Sequence, residues 1–394
     1  GPFHSTLQSF KVKAFGCAKM LRRTPIFSKY MLILIQLLKK VKDCRRAQGQ
    51  RHPLWFILLL VILGTMMGYI GYRAWGDFAR SEGPIIQKAL KIKVTDLPSY
   101  STIRRAIIRV DADNLLKVFQ EWMTQINMDK KLSEGISIDG KSINSTRVNL
   151  HTKEQNCVNI VSSFSQATGM VLQLSAFENK SGSEIHQVLE LLRNSTDSNQ
   201  LFTLDALHCQ KSTVELITAQ GNDYIIPVKK NQKNLYKETE KVCQSPPPKS
   251  IDIQCDKGQV RQVTRQVSVF EYLPNNNLKG WESIKSLIKV ERSGYRGVKI
   301  YKQTMYYISS LSGYASFFAA KIRGHWSIEN QLHWVKDVIL GEDNWRIRQF
   351  QAATNVSVLR TFALNLWRFL GFLSVTQARR AIGSRVERFL ILLE

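Results

Sequence analysis

Three acidic residues interrupt apolar stretches of the sequence in positions that suit metal-dependent chemistry: Asp139, Asp205 and Glu329. Asp139 ends the run ISID directly before a glycine, and Asp205 ends the run LFTLD. Carboxylates at strand ends are common metal ligands, whereas a single Asp before Gly is also an ordinary turn residue. Two such residues on separate strands of one sheet therefore favour a shared site over two unrelated turns.

Glu329 lies in a stretch with helical periodicity, RGHWSIENQLHWVKDVILGED. At about 100° per residue, one face of this helix is apolar and comprises Ile328, Leu332, Val335 and Ile339. The neighbouring face carries Trp326, Glu329, His333 and Lys336. We therefore expect Glu329 beside the buried apolar face and towards the edge of the sheet. An ordinary surface Glu with i,i+4 contacts is the alternative.

Three other acidic residues nearby are poorer candidates for the third carboxylate. Asp337 is two helical turns beyond Glu329, roughly 12 Å along the axis. Glu342 and Asp343 follow Gly341, a residue type that commonly ends a helix.

Three converging carboxylates suit two Mg²⁺ or Mn²⁺ ions, because these hard cations prefer oxygen ligands. Two such ions can activate an oxygen nucleophile and stabilise a leaving oxyanion, as phosphodiester cleavage requires. The six cysteines form no CxxC pair, and no Cys and His spacing suits zinc. We therefore expect reduced thiols, a cytoplasmic protein, and a two-ion site formed by Asp139, Asp205 and Glu329.

The charge balance indicates a polyanionic partner. Lys and Arg number 56 against 31 Asp and Glu, for a net charge of +25. Residues 1–130 hold 22 of the basic and 8 of the acidic residues. Such an excess favours nucleic acid first and an anionic membrane surface second. A solvated basic face is the alternative for the N-terminal third.

One uncharged segment, Leu54–Tyr72, is long enough to span a membrane. Its glycines also suit a buried helix that ends in a turn. Because the rest of the chain resembles a DNA-directed enzyme, we expect a buried helix and no membrane partner.

The chain is predicted to be helical to about residue 130, and the stretch Ser99 to Arg109 opens with Ser and Thr candidates for a helix cap. Three β-rich runs follow, then helix, strand, helix and strand, which indicates an α/β class. From Ile251 to Leu311 the pattern again predicts β-strands, in which basic and aromatic residues are mixed. This segment either binds nucleic acid or forms a hairpin with a solvated basic face.

Several motifs in order resemble the H-repeat-associated family of bacterial insertion-sequence DDE transposases: IDGK, TLDALHCQK, KKNQ, RGHWSIENQLHWVKDV and GEDNWRIR. The resemblance runs from about Asp43 to Trp367. It implies a ribonuclease-H-like (retroviral-integrase-like) catalytic domain with a β-rich insertion and a helical N-terminal domain. The implied divisions are a basic DNA-binding domain at 1–130, the first part of the catalytic core at 131–245, the insertion at 246–315 and the C-terminal core helices at 316–394.

The resemblance also implies that Asp139, Asp205 and Glu329 are the metal-binding and catalytic triad. The residues expected to contact DNA or support the triad are Lys229, Lys230, Asn231, Gln232, Arg323, His325, Asn330, His333, Lys336, Arg346 and Arg348. The implied partners are double-stranded DNA, both element ends and target, and a second copy of the chain in the DNA complex. The protein would act in the bacterial cytoplasm, associated with the nucleoid.

The resemblance implies an active transposase that cleaves strands at element ends and transfers them to a target. A domesticated transposase that acts as a nuclease, or only as a DNA-binding protein, is the alternative. Three carboxylates at these positions favour catalysis, because a DNA-binding protein has no use for them.

Overall fold

The computed structural model describes residues 18–93, 96–127, 135–152, 154–258, 261–273, 278–296, 299–345, 347–382, 386 and 390. Its elements combine one large mixed sheet with helices, so the predicted α/β class is confirmed.

Helices form the first part of the described chain. They are α1 (Ala18–Leu38), α2 (Leu54–Met66), α3 (Tyr72–Ala89), α4 (Tyr100–Arg109) and α5 (Ala112–Asn127). The predicted cap of α4 is confirmed, because the Ser99 hydroxyl oxygen accepts the Thr102 N–H at 3.4 Å.

Helix α2 is buried all round, as its continuous apolar sequence requires. Every residue of α2 except Trp55 is buried, and the helix ends before Gly68, whose φ is +95°. The window Ala47–Met66 is long and apolar enough to cross a membrane by length and composition, and 72% of it is buried inside the protein.

The remaining helices alternate with strands. They are α6 (Glu184–Asn194), α7 (Lys211–Ala219), α8 (Lys233–Val242), α9 (Ala315–His325), α10 (Phe350–Phe369) and α11 (Val375–Ile382). Helix α10 packs against α2, α4, α5 and the first strands of the sheet. The Asn355 amide donates to the carbonyl oxygens of Ile107 and Val110 at 2.9 and 2.7 Å, which joins α10 to the end of α4. The N-terminal helices and the sheet therefore share one core.

Nine strands of the described residues form one sheet in the order β3-β2-β1-β4-β5-β9-β8-β7-β6. The strands are β1 (Ile136–Ser142), β2 (Val158–Ser165), β3 (Val171–Glu178), β4 (Leu201–Thr203), β5 (Asp223–Val228), β6 (Ser250–Lys257), β7 (Arg261–Glu271), β8 (Ser286–Arg296) and β9 (Lys299–Ser309). β1, β4 and β5 are parallel, and the other neighbours are antiparallel. The predicted order of three strands, helix, strand, helix and strand is confirmed over residues 136–228.

Strands β6 to β9 continue this sheet. β9 pairs with β5 from Ile225 opposite Ser309 to Val228 opposite Tyr306. A second apolar cluster, which includes Phe318 of α9, covers this part of the sheet. The β-rich segment is thus attached to the core by backbone hydrogen bonds.

Candidate active site

The three predicted carboxylates line one cavity of about 300 Å³ at the end of β4. Asp139, Asp205 and Glu329 reach it from β1, from the turn after β4 and from the stretch after α9. His325 and Lys229 line the same cavity. The fold therefore brings together residues that are up to 190 positions apart in the sequence.

Asp139 was expected at the end of its strand, and this expectation is wrong in detail. β1 continues to Ser142 because it pairs with β2 along its whole length, with Asp139 opposite Ser162. On its other side β1 pairs with β4 only at Ile136 and Ser137, since β4 is three residues long. Asp139 thus lies just past the end of β4, which opens the cavity beside it.

Asp205 begins the short helical turn Ala206–His208 that follows β4, and its carbonyl oxygen accepts the His208 N–H at 3.0 Å. Its side chain is exposed. A cluster of donor atoms within 4.8 Å of one another contains Asp139, Glu329 and His333 among the described residues, and Asp205 lies outside it. Two of the carboxylates converge closely, and the third lines the same cavity outside their cluster.

Glu329 does not lie on a regular α-helix, so the prediction of one is wrong over this stretch. Glu329–His333 and Val335–Ile339 are π-helical. The Trp334 N–H donates to the Glu329 carbonyl oxygen five residues earlier, which is the π-helical pattern. Widened turns of this kind are frequent at functional sites.

The side chains of this stretch differ in exposure, although Glu329 and His333 still offer ligand atoms to the same cluster. Trp326 and Glu329 are exposed at the cavity, whereas His333 and Lys336 are buried. The apolar face persists, since Ile328, Leu332 and Val335 are at most 5% exposed. The helix stop is also observed: Gly341 has a φ of +65°, a conformation that favours glycine.

His333 holds Asp139 by a hydrogen bond from Nε2 to Oδ2 at 3.1 Å. Burial acts to raise the pKa of the Asp139 carboxyl, but this hydrogen bond and the charges of His333 and His325 lower it on balance. The carboxylate is therefore ionised, and His333 carries its proton on Nε2. A histidine that orients a carboxylate in this way acts as an outer partner of a metal ligand.

His325 sits between the two aspartates in a polar network beneath the cavity. Its Nδ1 lies 2.9 Å from the Thr203 hydroxyl, which is 3.2 Å from the Ser137 hydroxyl. The Gln166 amide donates to both hydroxyls, at 3.1 and 3.0 Å. Burial lowers the pKa of His325, and the negative charges of Asp139 and Asp205 oppose this only in part.

The sequence interpretation missed Ser137, Thr203 and Gln166. A signal for the first two was present, because each lies two residues before a predicted carboxylate and side chains alternate along a strand. Ser137 therefore shares a face with Asp139, and Thr203 shares one with the turn that carries Asp205. Gln166 follows β2 and has no local pattern that would have identified it.

Lys336 does not face DNA, because its side chain is 3% exposed. Its Nζ donates to the Ser357 hydroxyl at 2.6 Å and lies 3.5 Å from the Glu342 carboxylate. The sequence interpretation gave this position a role in contacting DNA or in supporting the triad, and its burial favours support. Lys141, two residues after Asp139, pairs with Asp337 of the π-helical stretch.

The four predicted residues after β5, at 229–232, form two pairs with different surroundings. Lys229 and Lys230 are exposed and line a cavity next to the carboxylates. The side-chain amides of Asn231 and Gln232 donate instead to the carbonyl oxygens of Ala206 and Cys209, at 3.1 and 2.9 Å. Asn231 and Gln232 thus tether the turn that presents Asp205, a role that the sequence did not indicate.

The remaining predicted residues lie at or near the surface. Arg323 and Asn330 line a cavity of about 600 Å³ that adjoins the carboxylate cavity at Trp326. Arg348 is exposed, and Arg346 lies outside the described residues. Cys44, Cys157, Cys209, Cys243 and Cys255 are free thiols, and Cys17 lies outside the described residues.

The chain matches family models and named relatives. A family model described as "Transposase DDE domain" matches residues 130–366, and one described as "DDE_Tnp_1-associated" matches residues 35–123. A relative named "Putative transposase YncI" from Escherichia coli O157:H7 is 31% identical over 85% of this chain and 87% of its own length. "H repeat-associated putative transposase YhhI" from E. coli K12 is 28% identical over 84% of this chain and 89% of its own length.

Among solved structures, the synaptic complex of piggyBac transposase with hairpin DNA matches 95% of this chain and 79% of that chain. The TM-score is 0.48 and the sequence identity is 8%.

Proposed function

The chain belongs to the transposase DDE domain family, and from this premise we propose that it binds the DNA ends of its element, cleaves strands there and joins them to a target. The observation that carries the proposal is the cavity lined by Asp139, Asp205 and Glu329.

The donor set of this cavity fits divalent cations that prefer oxygen. Asp139 and Glu329 have oxygens within a 4.8 Å cluster, and Asp205 faces the same cavity. We propose that these residues hold two Mg²⁺ or Mn²⁺ ions, as the family implies. When bound, such ions activate the attacking oxygen of water or a 3′-hydroxyl and stabilise the leaving oxygen of the phosphodiester.

The surrounding residues prepare the site for this chemistry. His333 keeps Asp139 oriented and ionised, and the Asn231 and Gln232 amides fix the turn that carries Asp205. Lys229 and Lys230, exposed beside the carboxylates, would bind the phosphates that flank the cut.

The strand order β3-β2-β1-β4-β5, with β2 antiparallel to β1, supports a ribonuclease-H-like core in this proposal. We assign DNA binding to the basic helices within residues 1–130. We place strands β6 to β9 as the insertion between the second and third carboxylates. We also propose that the protein acts as a dimer on two DNA ends, in the bacterial cytoplasm.

The test is single-turnover cleavage of duplexes that carry the ends of the chain's own element, with both strands resolved. Mg²⁺ or Mn²⁺ should support cleavage, whereas Ca²⁺ should support binding with little cutting, because its coordination is looser. Asp139→Asn, Asp205→Asn and Glu329→Gln should each bind DNA in Ca²⁺ and fail to cut it. Glu190→Gln, which removes an exposed carboxylate on α6, is the matched control.

Cleavage at the wild-type rate by all three variants, or in EDTA, would rule the proposal out. An assay with a pre-cut element end and target DNA distinguishes a transposase from a nuclease and from a DNA-binding protein. Joining to target DNA supports a transposase, cutting without joining indicates a nuclease, and binding without either indicates an architectural DNA-binding protein.

A further inference from the structure

A second cavity, of about 480 Å³, lies among the N-terminal helices and shares no lining residue with the carboxylate cavity. It is formed by the chain between α1 and α2, by the residues just before α4, and by α4 itself as far as its last residue, Arg109. Five arginines and one aspartate line it: Arg45, Arg46, Arg51, Arg105, Arg109 and Asp96.

Arg45 is held rigidly at this cavity. Its Nε and Nη2 donate to the two carboxylate oxygens of Asp43 at 2.9 and 2.7 Å, and Nη2 also donates to the His52 carbonyl oxygen at 2.7 Å. The Arg45 side chain is 4% exposed, yet its Nη1 has no hydrogen-bond partner among the described residues. A buried guanidinium N–H without an acceptor is costly, and Arg45 adds a fixed positive charge to the lining of the cavity.

The rest of the cavity is also suited to an anion. Ser99 and Thr102 line it at the N-terminus of α4, where the helix dipole favours negative charge. Arg46, Arg105 and Arg109 are exposed, so their guanidinium groups are accessible. The pKa of His52 is lowered, first by its burial and then by the charges of Arg51 and Arg45. The imidazole therefore adds no charge of its own at neutral pH.

We propose that this cavity, which we call the arginine cleft, binds the phosphodiester backbone of DNA outside the segment that is cut. The inference rests on the proposed function and gives the N-terminal helices a defined contact surface. Arginine forks and a helix N-terminus recognise phosphate oxygens rather than base edges. The cleft therefore adds affinity and register without sequence preference.

The cleft is tightly coupled to the catalytic core. α4 is bonded to α10 through Asn355, and α10 packs against the first strands of the sheet. DNA held in the cleft is thus positioned relative to β1, which carries Asp139.

The experiment measures binding of the full-length protein to a labelled duplex of arbitrary sequence in Ca²⁺, across a series of salt concentrations. The test variant is Arg46→Gln/Arg105→Gln/Arg109→Gln. The control variant removes the same charge from exposed positions outside residues 1–130 and outside the candidate site, as Lys180→Gln/Arg193→Gln/Lys241→Gln. Each lost phosphate contact should reduce the slope of log K against log salt by about 0.9.

We expect the slope of the test variant to fall by about 0.9 to 2.7, for one to three lost contacts, and that of the control to change by less than one contact. A slope equal to that of the control would overturn the arginine cleft while leaving cleavage by the carboxylates intact. If the wild-type protein bound no DNA at all, the proposed function would fall as well. If the triple variant unfolds at a lower temperature than the wild type, Arg46→Gln alone gives the same test for one contact. Arg46 lies at the start of a short exposed turn.

Discussion

Removing the Glu342 carboxylate should destabilise the fold more than removing the Lys336 ammonium from the same buried cluster. Glu342 is 3% exposed, and its oxygens lie 3.5 Å from Lys336 Nζ and 3.9 Å from both Arg360 Nη1 and Lys141 Nζ. Asp337 is the other carboxylate of the cluster. Three cations therefore face two anions in a region with almost no water.

The unequal charge decides which substitution costs more. Glu342→Gln leaves Lys336 and Arg360 as buried cations without a counter-charge. Breaking a buried pair in this way costs about 3–5 kcal/mol. Lys336→Met leaves Glu342 with Arg360 and Lys141, so the charges balance and the loss should be smaller, about 1–2 kcal/mol. Burial lowers the pKa of Lys336 to about 8, which is a further sign that its charged form is poorly accommodated.

The assay is thermal unfolding followed by circular dichroism, with Glu190→Gln as an exposed-pair control that should change stability by about 0–1 kcal/mol. At about 1.2 °C per kcal/mol for a chain of this length, Glu342→Gln should lower the midpoint by roughly 4–6 °C. A larger loss for Lys336→Met than for Glu342→Gln would refute the reasoning, and so would a Glu342→Gln midpoint equal to that of the control.

The contribution of Glu342 should also depend on pH. Burial acts to raise the pKa of Glu342, but the charges of Lys336, Arg360 and Lys141 lower it to about 2 from an ordinary 4.5. A carboxyl whose pKa is lower in the folded state contributes stability above its unfolded pKa and loses it as pH falls. The difference in stability between wild type and Glu342→Gln should therefore shrink between about pH 4.5 and 2.

Three further perturbations have defined outcomes. Glu329→Gln should abolish cleavage but keep DNA binding in Ca²⁺. Asp337→Asn should cleave at a rate within roughly tenfold of wild type in single-turnover assays. The reverse result would assign the third carboxylate to Asp337. His333→Gln should weaken Mn²⁺ binding, measured by electron paramagnetic resonance, by about 10–100-fold, and unchanged affinity would show that the hydrogen bond to Asp139 has no such role. Gly76→Ala should lower the free energy of unfolding by about 1–3 kcal/mol, because a Cβ at Gly76 would lie 2.9 Å from the backbone nitrogen of Tyr100. An unchanged melting temperature would contradict this close packing of α3 on α4.

Local pattern determined much of this protein. The capped start of α4 and the strand and helix order over residues 136–228 follow from side-chain periodicity and from residues that begin or end elements. The hydropathy of Leu54–Tyr72 suited both a membrane span and a buried helix, and the rest of the chain favoured the buried helix that is observed. The carboxylates Asp139, Asp205 and Glu329 were identifiable because acidic residues within apolar runs are costly unless they have a use. Their place in one cavity agrees with that interpretation.

The tertiary structure decided what depends on partners distant in the sequence. Strands β6 to β9 join the core sheet because β9 pairs with β5, and no local pattern encodes that register. His333 and Lys336 are buried and contact Asp139 of β1 and Ser357 of α10, and a count at 100° per residue could not show these partners. The roles of Gln166, Asn231 and Gln232 arise in the same way, because a buried carbonyl or hydroxyl gains its partner only when the chain has folded around it.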